Sequence, residues 1–103
     1  MKKNIQITEE SKAFSCYLRV SGDVNTLTAG VLEEALGRKI ADKANITLNM
    51  NQVGFLSSMG IRVILGAYKK ASKLGLILRI DNPSENVKNV LGMTALDELL
   101  LNK

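Results

Sequence analysis

The sequence predicts a single α/β domain: a mixed sheet of four to five strands opened by an N-terminal hairpin, with about four helices. Three observations carry this prediction. Two segments of period-two alternation stand at the head of the chain, apolar residues then recur at three- and four-residue spacing, and the two patterns alternate thereafter. No composition shift marks a boundary, and no internal repeat is visible. Residues 1–103 are therefore read as one domain, long enough for one core and too short for two.

The first two strands are "NIQIT" and "AFSCYLRVSG", joined by the polar "EESK". Alternation places Phe14, Cys16, Leu18 and Val20 on one face, and Gly22 is expected to end the second strand. After "DVNT", the spacing of Val31, Leu32, Ala35, Leu36 and Ile40 predicts a helix from about Leu27 to Ala41. "NITLNM" follows as a short strand.

The second helix is expected over about Ser58–Leu74, with Gly75 just past its end at the C′ position. Ile61, Ile64, Leu65, Tyr68 and Ala71 share its apolar arc. Arg62, Gly66, Lys69, Lys70 and Lys73 share the opposite arc, into which Met59 projects. "LILRI" is nearly all apolar, as expected of a strand covered by helices on both faces. Asp81-Asn82-Pro83 breaks the chain, and Ser84 is placed to cap a third helix carrying Val87, Val90 and Leu91 that Gly92 ends. Thr94 is expected to open a last helix, with Asp97 in a capping-box-like position and Leu96, Leu99 and Leu100 as the buried stripe.

Composition narrows the chemistry. Hydrophobic residues make up 46% and charged residues 23%, the balance of a soluble globular chain. No histidine is present, which excludes Ser-His-Asp and Cys-His nucleophile systems, although not lysine- or carboxylate-based chemistry. The lone Cys16 reads as a buried structural thiol. No cofactor and no metal are expected, and the chain reads as a non-enzymatic protein.

The net charge of +4 comes without a basic block or an aromatic-rich strand pair, so no nucleic acid is expected as a partner; an acidic protein partner accounts for it equally well. No apolar run approaches the roughly 20 residues that span a bilayer, so no segment is expected to insert directly into a membrane. "MKKNIQITEE" has no apolar stretch behind its basic start, so it does not read as a signal peptide, and a cytoplasmic location is expected.

Several dispersed segments resemble one family in order and without an internal gap. "GDVNTLTA" is similar to a loop commonly written G-E-L-D-x-x-T-A. "ITLNMNQVGFLSSMG" is similar to apolar-D-apolar-x-x-apolar-x-F-apolar-D-S-S-G, and "LGAYKKA" and "NPSENVKNVLGMTALDELL" complete the match. The chain is identified as a member of the STAS domain, anti-sigma-factor antagonist family. The resemblance implies a small regulatory module that docks on an anti-sigma factor with serine-kinase activity and is phosphorylated on a serine at the start of the second helix. Met59 occupies the usual acceptor position and Ser57 that of a preceding aspartate, while Asn49 and Asn25 stand at two further aspartate positions.

The phosphoacceptor candidates are therefore Ser58 and Ser57, and the expected partner-binding residues are Asp23, Asn25, Ser57, Ser58, Met59 and Arg62. A hydroxyl in the first helical turn faces free backbone N–H groups and the positive end of the macrodipole, where a phosphate is stabilised. Capping is the simpler role for Ser57 and for Asn25, whereas capping and modification are balanced for Ser58. Two further readings stay open: a STAS protein without phosphoregulation, and a STAS subunit of a membrane transport or lipid-trafficking complex. Oligomeric state is not legible.

Overall fold

The computed structural model describes residues 5–101. The chain runs β1 (Ile5–Lys12), β2 (Ser15–Val24), α1 (Ala29–Ala41), β3 (Asn45–Leu56), α2 (Ser58–Lys73), β4 (Leu78–Asp81), α3 (Glu85–Met93) and α4 (Asp97–Leu100). The four strands form one sheet in the order β1-β2-β3-β4, with β1 antiparallel to β2 and the other pairs parallel. Leu101 adds a single parallel bridge to Ile80 beside β4, the start of a fifth position in the sheet.

Because the strand order never reverses, successive crossovers of one hand leave α1 and α2 on the same side. The sheet therefore has one covered face. Cys16, Ile46 and Leu78 align across it, as do Leu18, Leu48 and Ile80, and all are buried in one cluster with Leu32, Leu36, Ile64, Val87 and Leu91 of the helices. The alternate rows, Tyr17–Thr47–Arg79 and Arg19–Asn49–Asp81, lie on the opposite, polar face. The expectation that "LILRI" is covered on both faces fails for this reason: Arg79 points outward between buried Leu78 and Ile80, and Ile77 precedes the strand exposed.

The hairpin differs from expectation. "EESK" is not a connector but the end of β1, and the turn is the two residues Ala13 and Phe14, with Ala13 at φ 48°. Phe14 consequently leaves the face of Cys16, Leu18 and Val20 and stands in solvent. Asn4, placed at the head of the first strand by its sequence, lies outside the described residues. Gly22 does not end β2, which runs on to Val24; at φ 99° it bends the strand within the ladder.

β3 is twice the expected length because it continues past Met50 through two bulges. The two steps of β2 from Arg19 to Ser21 span three of β3, from Asn49 to Gln52, and the one step from Gly22 to Asp23 spans two. Each extra residue rotates the following side chains.

Helix ends also moved. α1 begins at Ala29, not Leu27, because Asn25–Thr28 forms a capping turn, and exposed Leu27 sits at its tip. Gly92 does not end α3, which extends to Met93. Thr94 belongs to that helix end, its hydroxyl lying 3.0 Å from the Val90 carbonyl, so it forms no capping box with Asp97. Leu100 is buried and Leu96 partly so, but Leu99 is exposed.

Candidate docking site at the start of the second helix

The end of β3 delivers Ser57 to the mouth of α2. Ser57 has extended backbone, and its Oγ accepts the Gly60 N–H at 3.1 Å, the arrangement of an N-cap. Ser58 is the first helical residue and its side chain is exposed. Gly60 is buried against β2: a Cβ there would stand 2.7 Å from both Leu56 Cδ1 and Val24 Cγ1.

The β2–α1 connection is pinned to this junction. Val24 pairs with Leu56 and Asp23 with Phe55, and the Ser57 N–H donates to the Val24 carbonyl at 2.8 Å. Asn25 Oδ1 accepts from the N–H groups of Leu27 at 2.9 Å and Thr28 at 3.1 Å, so its side chain holds the turn that opens α1. Buried Thr28 answers reciprocally: its hydroxyl accepts the Asn25 N–H at 2.9 Å and donates to the Asp23 carbonyl at 2.7 Å. Asp23 is half-buried beside Gly54, whose added Cβ would lie 3.3 Å from the carboxylate Oδ1.

Asp23, Asn25, Ser57 and Ser58 thus share one pole of the domain. Met59 and exposed Arg62 continue from it along a groove of about 170 Å³ between α1 and α2, whose floor includes Gly37, Ile40 and Val63. Asn49 does not join them. It lies on the open face, where its Nδ2 donates to the Tyr17 hydroxyl at 2.7 Å, and that hydroxyl is 3.4 Å from Asp81 Oδ2.

Two apolar residues missing from the sequence-level set complete the pole: Leu27 and Phe55 are exposed there together with Met59. Alternation would have put Phe55 inside, two residues from buried Val53; the bulge between Val53 and Phe55 turns it out. Leu27 had a signal, since the first helix's apolar spacing starts only at Val31.

A STAS domain family model matches residues 4–102 of the chain. The chain belongs to the STAS domain family. The anti-sigma-B factor antagonist of Bacillus subtilis (strain 168) is 24% identical over 97 residues, covering 94% of this STAS domain and 89% of that protein. Among solved structures, an anti-sigma factor antagonist from Mycobacterium paratuberculosis superposes with a TM-score of 0.84 at 25% identity, covering 94% of this chain and 84% of that one. The anti-sigma factor antagonist SpoIIAA in its unphosphorylated form gives 0.80 at 18% identity over 95% of this chain and 89% of its own, a likeness of fold. The mixed sheet and four helices described above are this STAS fold.

Proposed function

We propose that the chain is a non-enzymatic regulatory binding module, an anti-sigma factor antagonist that acts in the cytoplasm by docking on an anti-sigma factor with serine-kinase activity. The observation that carries this reading is the pole around the α2 N-terminus. Three exposed apolar residues from three segments, Leu27, Phe55 and Met59, stand at the same pole as the exposed Ser58. An apolar patch with a polar rim is the usual composition of a protein-binding surface. The groove beside Met59 and Arg62 extends it. The role of the B. subtilis relative supports the same choice.

Ser58 is the phosphoacceptor in this reading. Ser57 is half-buried and its oxygen holds the Gly60 N–H, whereas Ser58 is exposed. A phosphate on Ser58 gains the free N–H groups and dipole of the first turn, and sets roughly −1.5 to −2 charge into the apolar surface a partner must cover. Docking and phosphorylation are then mutually exclusive.

A second reading is favoured by Met59, which takes the usual acceptor position and faces the groove: the module docks constitutively, without phosphoregulation. One experiment separates the two. The chain is captured from its native cell, and its mass and its peptides are read after incubation with the co-purifying kinase and ATP. One phosphate on Ser58, lost in Ser58→Ala, supports the switch; an anti-sigma factor bound without phosphate transfer supports constitutive docking. Recovery of a transporter ATPase or permease in its place overturns both, in favour of a transport-associated subunit.

A further inference from the structure

The pole opposite the docking loops, where β2, β3 and β4 begin, carries a second exposed apolar set. Asn45 ties its three connections together: its N–H donates to the Phe14 carbonyl at 2.7 Å, and its Oδ1 accepts the Ile77 N–H at 2.8 Å. Phe14 at the hairpin tip is 75% exposed, Ile77 is 56% exposed and Leu74, at the end of α2, is 49% exposed. Phe14 protrudes from the hairpin turn, and Leu74 and Ile77 from the single connection between α2 and β4. Such an array meets a flat surface better than it meets a knob.

A lysine accompanies each turn: Lys12 before the hairpin tip, Lys43 after α1 and Lys73 beside Leu74. Within residues 12–15, 42–45 and 73–78 the only carboxylate is Asp42. Lys43 holds the left-handed position at φ 62° where glycine is the ordinary choice, so a positive charge occupies a site that backbone preference would assign elsewhere. At the other pole the β2–α1 and β4–α3 loops carry Asp23, Asp81 and Glu85 and no Lys or Arg in residues 23–28 or 81–85, while exposed Arg62 continues from it on α2.

We propose that the Phe14–Leu74–Ile77 pole is a peripheral docking site for an anionic lipid bilayer. The three apolar side chains enter the boundary between headgroups and acyl chains, while Lys12, Lys43 and Lys73 meet the lipid phosphates. The contact is interfacial, and no helix among the described residues is long and apolar enough to cross a membrane. Ser58 and its neighbours lie at the opposite end of the strands, so a domain seated on Phe14, Leu74 and Ile77 holds them pointing away from the bilayer, free to meet a protein. This inference is independent of which partner binds there.

The chain has no tryptophan, so Phe14→Trp supplies a single fluorescent reporter at the tip. The probes are phosphatidylcholine vesicles and vesicles of equal parts phosphatidylcholine and phosphatidylglycerol. The expected result is a blue shift and co-sedimentation with the anionic vesicles only, weakened by added salt. In the otherwise unaltered chain, Phe14→Ser/Ile77→Ser and Lys12→Glu/Lys43→Glu/Lys73→Glu each lower vesicle binding by about tenfold or more, with cooperative thermal unfolding retained. No sedimentation of the unaltered chain with anionic vesicles at low salt overturns the proposal, as does binding insensitive to both sets of substitutions. Concentration-dependent self-association without vesicles, lost in Phe14→Ser/Ile77→Ser, would reassign the patch to a contact between copies of the chain.

Discussion

The backbone at Gly60 runs so close to β2 that a Cβ on Gly60 would stand 2.7 Å from Val24 Cγ1. Valine is stiff at χ1 and Val24 is fully buried, so it has nowhere to retreat. The same contact brings the β2–α1 loop beside the first turn of α2. Gly60→Ala is expected to cost about 1–3 kcal/mol through overpacking, despite alanine's better helix propensity. Urea unfolding measures it; a neutral or stabilising result would mean that the two segments separate without cost.

Neighbouring serines should respond differently. Ser57→Ala removes the acceptor of the Gly60 N–H and is expected to cost about 1 kcal/mol. Ser58→Ala touches only an exposed hydroxyl and should stay within about 0.5 kcal/mol of the parent. Ser84 does two jobs, accepting the Val87 N–H at 3.2 Å and donating to the Val53 carbonyl at 2.6 Å, so Ser84→Ala should exceed Ser57→Ala. Thermal denaturation of the three variants ranks them. Equal losses at Ser57 and Ser58 would contradict the cap geometry.

Much of this fold was legible because local chemistry and tertiary structure agree. The buried face of α1, the Ser57 and Ser84 caps and the Gly75 stop follow from spacing and side-chain type, whereas the α2 face is rotated from the expected arc, burying Val63 and Ala67 and leaving Leu65 only partly covered. Gly75 sits at φ 75° in a Schellman arrangement, with the Leu76 N–H bonded to the Ala71 carbonyl at 2.8 Å. α1 and α3 end in the same arrangement, yet the left-handed residues are Lys43 at φ 62° and Ala95 at φ 60°, which carry no signal. The ends of α1 and α3 therefore rest on packing rather than on residue type. Among the candidate docking residues, the capping roles of Ser57 and Asn25 were legible from residue type and position. Phe55 was hidden, because the bulges that expose it depend on pairing between β2 and β3, which no local window contains.

Those two ends make a prediction. A left-handed conformation costs a non-glycine L-residue roughly 1 kcal/mol, partly offset because glycine loses more entropy on folding. Lys43→Gly and Ala95→Gly are each expected to stabilise the domain by a few tenths to about 1 kcal/mol. A glycine at an ordinary helical position should do the reverse, and Ala41→Gly supplies that control. Denaturant midpoints at constant slope decide it; destabilisation at both Lys43 and Ala95 would show that their side chains contribute more than their backbone strain removes.

An ion pair between Glu9 and Lys39 fastens the hairpin to α1. The hydrogen bond from Lys39 holds the Glu9 carboxyl below its ordinary 4.5, with Ser11 and the nearby charges helping and partial burial opposing. The same bond to Glu9 raises the Lys39 ammonium above its ordinary 10.5. A carboxyl lowered in the folded state stabilises above its unfolded value and loses that contribution as pH falls through the folded one. A raised ammonium stabilises below its unfolded value and loses that contribution as pH rises through the folded one. The pair therefore acts fully between pH 4.5 and 10.5. Both groups are solvent-accessible, so the effect is small and screened by salt. Midpoints of urea unfolding for the parent and Glu9→Gln should differ by a constant amount across neutral pH, converge below 4.5, and converge everywhere in high salt. A difference that persists unchanged at pH 3 would assign the loss to packing of the Glu9 side chain on α1 rather than to its charge.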